Sequence, residues 1–243
     1  MTVDANFETL YSQIELVRGA GNRRRGQLCV MSLAAFLAGE GHSDNPASAS
    51  PLIRRWAMTL NDEIPVSQRQ KLKPFAPLII GTRDGRDGDR ASLLIAAART
   101  ELLPRIEAEF GHVLDPDRVS HPGRDARIWP DVYQRVIALV ASADLVLDAA
   151  GCEEIAFAVA RLICHCGQTA PLPQQRAWYW AKAVDLLDRL CIIGITDERP
   201  AISAEHLDAL AAFLERRRNW NVQRQRVVAA LELARKLIPA LVR

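Results

Sequence analysis

No run of 18 uncharged apolar residues, the length that a membrane-spanning helix needs, occurs in this chain. The first ten residues, MTVDANFETL, lack the basic start and apolar core of a secretory signal. We therefore expect a cytoplasmic protein with no membrane association. Net charge is also small, because 31 basic and 29 acidic residues give +2. This balance excludes a general attraction to nucleic acid or membranes, so any affinity for anions must be local.

Cysteine is scarce, and its spacing is not that of a disulfide framework. Five cysteines are an odd number in a 243-residue chain, which predicts reduced thiols in a reducing compartment. Cys164 and Cys166 flank His165, but helical residues two apart point about 200° away from each other. This run therefore predicts core packing and not a zinc site. Cys29, among apolar neighbours, is likewise predicted to be a small buried residue, and we expect no metal or cofactor.

Two common ligand-binding motifs are missing as well. The loop TRDGRDGDR, residues 82–90, has the acids and glycines of a phosphate or calcium loop. It lacks the Gly-Lys-Ser/Thr of a P-loop, and its acids miss the twelve-residue EF-hand spacing. The sequence therefore predicts a solvated connection here.

What the chain does have is a helical period. Apolar residues recur every 3.6 positions and alternating strand patterns are absent, so we predict an all-α, irregular bundle of about ten helices. The main predicted helices are 4–18, 27–39, one from Ser50 and Pro51, one opened by a Ser67 and Gln70 capping box, 93–110 with a kink at Pro104, 130–141, 143–166, 174–193, 203–218 and 221–241. The polar stretch 115–128 predicts a linker between an N-terminal domain, 1–114, and a C-terminal domain, 129–243.

Polar residues concentrate between Cys29 and Thr82, in short breaks between apolar runs. The candidates for catalysis are Glu40, His42, Asp44, Asn61 and Asp62. Carboxylates are ligands that magnesium or manganese prefers, and histidine titrates near neutral pH. These residues therefore suggest a metal-assisted hydrolase. The alternative interpretation is structural, since the same residue types cap helices and form turns.

The same segment carries a series of short motif elements. These are Cys29 with Met31, then Gly39 to Pro46 with Ser43 and Asp44, Pro51 with Ile53, Asn61 to Pro65, and Gly81 with Thr82. The pattern resembles that of a family of uncharacterised bacterial and phage-encoded helical proteins, over about a quarter of the chain. A weaker similarity covers Leu186 to Gly194. The resemblance implies relatedness to proteins of bacteria or mobile elements and transfers no mechanism.

Two arginine-rich segments are the strongest local charge signal. One contains Arg23, Arg24 and Arg25, and the other contains Arg216, Arg217, Arg218, Trp220, Arg224 and Arg226. Guanidinium groups bind phosphate or carboxylate in a fork geometry, and an exposed tryptophan stacks on bases. A solvated face around a buried tryptophan is the structural alternative.

Two classes of function follow. The first is a nonenzymatic helical interaction or regulatory protein that binds an anionic partner, protein or nucleic acid, through its arginine-rich surfaces. The second is the metal-assisted hydrolase, or another enzyme, built from Glu40, His42, Asp44 and Asp62. The sequence leaves homo-oligomerisation open.

Overall fold

The structure, a computed structural model, describes residues 10–114, 124–142, 148–195 and 202–241. Within these ranges the side chains of residues 112–114, 124–130, 217, 227 and 230–241 lie outside the description. The described residues form ten α-helices and no β-strand, which confirms the predicted all-α bundle. The helices are α1 Val30–Leu37, α2 Pro51–Glu63, α3 Val66–Arg69, α4 Phe75–Ile79, α5 Asp87–Ala97, α6 Leu103–Leu114, α7 Arg124–Ala141, α8 Ala149–Thr169, α9 Pro173–Ile192 and α10 Ala204–Leu241.

Helix α2 begins where its sequence predicts, and α1 forms over Val30–Leu37, a shorter range than the predicted 27–39. All eight residues of α1 are buried, as expected of a helix that is apolar almost all round. At the start of α2, the Ser50 hydroxyl accepts a hydrogen bond from the Ile53 amide at 3.1 Å, and Pro51 takes the first helical position. The predicted apolar stripe of α2 is buried. Its Trp56 donates Nε1–H to the Ala183 carbonyl of α9 at 3.2 Å, which ties the two helices together.

Helices from both halves of the chain pack around α8. Its neighbours are α2, α5, α7 and α9, and one buried apolar cluster extends from Leu10 to Leu214. Residues 115–123 of the predicted linker lie outside the described residues, and α7 begins at Arg124. The boundary between the two predicted domains stays a prediction, while the helices on either side of it share one core.

The prediction of a helix through Arg18 is wrong. Helical residues end at Gln13, and Leu16 forms an isolated bridge to Leu28. The Gln70 side chain accepts a hydrogen bond from the Leu16 amide and donates one to the Leu16 carbonyl, each at 3.0 Å. It thus provides the two hydrogen bonds that a neighbouring strand would make. The predicted Ser67 and Gln70 capping box is therefore wrong as well, because Gln70 is engaged with a segment 54 residues away.

The predicted interruption at Pro104 takes the form of a π-helical turn, Ala98–Leu102, between α5 and α6. A proline has no N–H to donate, and its ring crowds the carbonyl of the preceding turn. The wider π turn comes directly before Pro104 and relieves that crowding.

The predicted break near Trp220 is wrong, because α10 runs through it. No glycine or proline occurs from Ala204 to Ile238, so nothing in this stretch terminates the helix. Trp220 is 39% exposed and is not a buried corner residue. At about 1.5 Å per residue, the helix is about 57 Å long. The described side chains packed into the core, Leu207, Leu210, Phe213 and Leu214, belong to its first three turns.

The loop of residues 82–90 is exposed over most of its length, as predicted, but it ends on a buried arginine that the prediction missed. Arg90 is fully buried, and its guanidinium donates two hydrogen bonds of 2.7 Å to Asp84 and one of 3.1 Å to Asp87. It also donates to the carbonyls of Thr82, Leu190 and Ile193. The acids of this loop therefore neutralise a buried arginine.

The predicted burial of Cys29, Cys164 and Cys166 is confirmed, and all five cysteines are buried and form no disulfide. Burial raises the pKa values of Cys164 and Cys166 well above that of an exposed thiol. These cysteines therefore behave as small core residues. Among the described residues, no helix combines the length and the apolar character needed to cross a bilayer.

Candidate anionic-partner surface

The first arginine cluster lies on a turn whose base is closed by backbone contacts. The Val17 amide donates to the Leu28 carbonyl at 2.8 Å. Gly21 has a φ of 80°, and a Cβ added there would lie 2.3 Å from the Gln27 carbonyl oxygen. Only glycine fits this close approach of the two sides of the turn.

At the tip of the turn, Asn22 caps the 3₁₀ turn Arg23–Arg25. Its side-chain oxygen accepts hydrogen bonds from the Arg24 and Arg25 amides, at 3.0 and 3.2 Å. The cap leaves the three consecutive guanidinium groups exposed on one short turn.

Three of the five predicted catalytic candidates hold this turn in place. Asn61, 1% exposed, donates Nδ2–H to the Val17 carbonyl at 2.9 Å and accepts from the Val30 amide at 3.3 Å. Asp62 accepts a hydrogen bond from the Gly19 amide at 2.7 Å. On the opposite side, His42 Nε2 lies 3.2 Å from the Gln27 carbonyl oxygen. Residues 16–28 are therefore held at both ends by side chains of the polar segment.

The other two candidates lie in the neighbouring loop. The Glu40 carboxylate accepts hydrogen bonds from the Ala47 amide and, at 3.0 Å, from the Ser48 amide. Burial raises the pKa of the Cys29 thiol, and the charge of Asp44 adds a smaller increase. The described part of the chain contains no group of three or more His, Cys, Asp and Glu side chains arranged to hold a metal ion. The metal-assisted hydrolase therefore has no supporting geometry among these residues.

The second arginine cluster is carried by α10, whose first turns pack on α1. The Phe213 ring stacks on His42, with centroids 5.5 Å apart, and contacts Phe36 at 4.6 Å. His206 Nδ1 lies 3.0 Å from the Leu37 carbonyl at the end of α1. A Cβ on Gly39, where φ is 78°, would lie 2.3 Å from the His206 ring. His42 therefore contacts both the turn and α10.

Direct contacts join the two clusters. The Arg25 guanidinium lies 5.3 Å from the centroid of the Trp220 ring, within cation–π range. Arg218 donates to the side chain of Gln13, which precedes the turn in the chain, at 3.2 Å. We use the name arginine surface for the exposed described arginines of the two segments, Arg23, Arg24, Arg25, Arg216, Arg218, Arg224 and Arg226, together with Trp220; the side chain of Arg217 is not described.

The arginine surface has an acid among its described neighbours, because Glu15 lines the same cleft as Arg218. None of its seven described guanidinium groups forms an ion pair with a described carboxylate. Several arginines elsewhere form ion pairs, for example Arg135 with Glu154 at 2.7 Å and Arg161 with Glu63 at 2.9 Å, whereas others, such as Arg69, donate to backbone carbonyls. The charge of the arginine surface is therefore available to an external anion.

Sequence reasoning missed the neutral polar groups that accompany these arginines. Asn219, Asn221, Gln223 and Gln225 are exposed on α10 between and beside the arginines. A cleft of about 570 Å³ also opens beside the surface, and Gln13, Arg218 and Asn221 contribute to its walls. The alternation of amides and arginines in NWNVQRQR was the available signal, because amides both donate and accept hydrogen bonds.

Comparison of the chain with protein-family models, curated proteins and solved structures finds no match. The resemblance of the polar segment to a bacterial and phage-encoded family stays a prediction.

Proposed function

We propose that this chain is a nonenzymatic α-helical interaction protein that binds an anionic partner through the arginine surface. The observation that carries the proposal is the contact between two arginine clusters, about 190 residues apart in sequence, whose described guanidinium groups form no ion pair with a described carboxylate. Uncompensated like charges repel one another, so such a surface has an unfavourable self-energy that an anion relieves.

The polar segment supports the proposal by giving its residues a structural task. Asn61, Asp62 and His42 hold the arginine-bearing turn, and His42 also packs on α10. These contacts fix the backbone of the turn before the partner arrives, so less conformational entropy is lost on binding.

The test is the affinity of the full chain for two labelled anionic probes, a polyglutamate peptide and a 20-base-pair DNA duplex, measured by fluorescence anisotropy. Arg23, Arg24, Arg224 and Arg226 are replaced together by glutamine. None of these four forms a described ion pair, so folding should be unaffected. We expect at least one probe to bind, and its affinity to fall at least tenfold in the variant because phosphate or carboxylate contacts are lost.

The matched control replaces Arg86, Arg135, Arg161 and Arg189, which removes the same charge from ion-paired positions elsewhere. The control variant should bind within about twofold of the wild type. Equal losses in the two variants, or no binding of either probe by the wild type, would contradict the proposal.

A further inference from the structure

We infer that the anionic partner is double-stranded DNA and that α10 enters its major groove, an inference that rests on the proposed function. The inference rests on the exposure of the part of α10 that follows its core-packed first turns. Every described side chain from Glu215 to Ala229 is exposed, on all sides of the helix. A surface helix of a globular protein normally buries one face. This stretch contacts the body through Trp220 with Arg25 and Arg218 with Gln13, and beyond these contacts it forms an exposed rod.

The dimensions of that rod match the groove. Fifteen residues from Glu215 to Ala229 span about 22 Å, and a helix with its side chains is about 10–12 Å across. The major groove of B-form DNA is about 12 Å wide and about 8.5 Å deep, which admits one α-helix. A flat acidic protein surface would contact only one side of the rod.

The residues on the rod match the edges of bases. Asn221, Arg224, Gln225 and Val228 are spaced i, i+3, i+4 and i+7, so they share one face. Arginine pairs with guanine, asparagine and glutamine pair with adenine, and an apolar side chain contacts the thymine methyl group. No acid, which would repel DNA, occurs from Arg216 to Leu231.

The turn supplies the second kind of contact that DNA recognition needs. Arg23 and Arg24 belong to the turn whose Arg25 contacts Trp220, the sixth residue of the stretch that begins at Glu215. A helix in the groove has a phosphate backbone on each side, so arginines on a turn beside the helix contact phosphates and set its position. Arg23 and Arg24 therefore position the protein, while the face of Asn221 and Gln225 reads sequence.

The experiment measures binding of the full chain to four labelled probes across a series of salt concentrations. The probes are a 20-base-pair DNA duplex, one of its single strands, the RNA duplex of the same sequence, and polyglutamate. We expect the DNA duplex to bind at least tenfold more tightly than the other three. The major groove of an RNA duplex is too deep and narrow for a helix, and a single strand has no groove.

Two variants separate positioning from reading. Arg23→Gln with Arg24→Gln should weaken binding to all duplexes and reduce the slope of log affinity against log salt by about 2, since each phosphate contact contributes about 0.9. Asn221→Ala with Gln225→Ala should leave that slope unchanged and alter the sequence selected from a randomised duplex pool. Circular dichroism confirms that both variants fold.

Each remaining outcome has a distinct meaning. Binding to polyglutamate without binding to the DNA duplex overturns the DNA inference and leaves the proposed function standing. Equal affinity for the single strand or the RNA duplex overturns the groove geometry. Binding to none of the probes overturns both the inference and the proposed function.

Discussion

Replacing Arg90 with alanine should lower the free energy of unfolding by about 3–5 kcal/mol, because a buried charge pair loses one member. The Arg90 side chain is 0% exposed, and its guanidinium serves two carboxylates and three carbonyls. The remaining exposure of Asp84 and Asp87, 21% and 22%, lets water recover part of the loss. Urea denaturation of the wild type and the variant measures the difference.

The control for this prediction is Arg86→Ala in the same loop. Arg86 is 54% exposed and forms a surface ion pair with Asp89 at 2.8 Å. Such pairs contribute about 0–1 kcal/mol, so Arg86→Ala should be nearly neutral. A loss below about 1 kcal/mol in Arg90→Ala would show that the guanidinium is not the connector that joins the loop to the end of α9.

Acid should weaken the same contact, which gives a second readout of the Arg90 variant. Burial raises the pKa of Asp84, but hydrogen bonds from Arg90 and the Arg86 amide, with the Arg90 charge, outweigh it and leave the pKa below its usual value. The pKa of Asp84 is lower in the folded state than in the unfolded state, where it is about 3.9, so the ionised carboxylate stabilises the fold above that pH. This stability is lost as the pH falls from about 3.9 through the folded-state pKa. The stability difference between wild type and Arg90→Ala should therefore shrink below about pH 4.

Asn61→Ala should lower the free energy of unfolding by about 3 kcal/mol. The substitution leaves the Val30 amide and the Val17 carbonyl without their side-chain partner, and an unsatisfied buried polar group costs about 1–3 kcal/mol. Chemical denaturation provides the measurement. This result is what a positioning role for the polar segment requires, because a catalytic asparagine exposed to substrate would cost little stability.

Asn45→Ala is the matched control, since Asn45 lies in the same polar segment but is exposed. It should change stability by less than about 0.5 kcal/mol. If Asn61→Ala were equally neutral, the account of how the arginine-bearing turn is held would be wrong.

Local signals predicted the elements whose causes are local. The Ser50 cap and Pro51 start α2, and the apolar sequence of Val30–Leu37 makes α1 a buried helix. Where distant residues compete, the sequence misled. Leu16 leaves its helical pattern because Gln70 pairs with its backbone. No periodicity reveals a partner 54 residues away.

The candidate site shows the same limit. Both arginine clusters are visible in the sequence, but their junction depends on α10 packing against α1 through His206 and Phe213. The buried Arg90 was equally hidden, since its acceptors Leu190 and Ile193 lie about 100 residues further along the chain. The sequence predicts His42, Asn61 and Asp62 as candidates for catalysis, whereas in the structure they support the arginine-bearing turn.

The most direct test of the joined surface is arginine-specific labelling with phenylglyoxal, read residue by residue by mass spectrometry. The chain is labelled free and in complex with the DNA duplex or polyglutamate, whichever binds more tightly. We expect Arg23, Arg24, Arg224 and Arg226 to become protected together, while Arg86 and Arg135 react equally in both states. Protection confined to one of the two clusters, or protection of Arg86 and Arg135 to the same degree, would contradict this expectation.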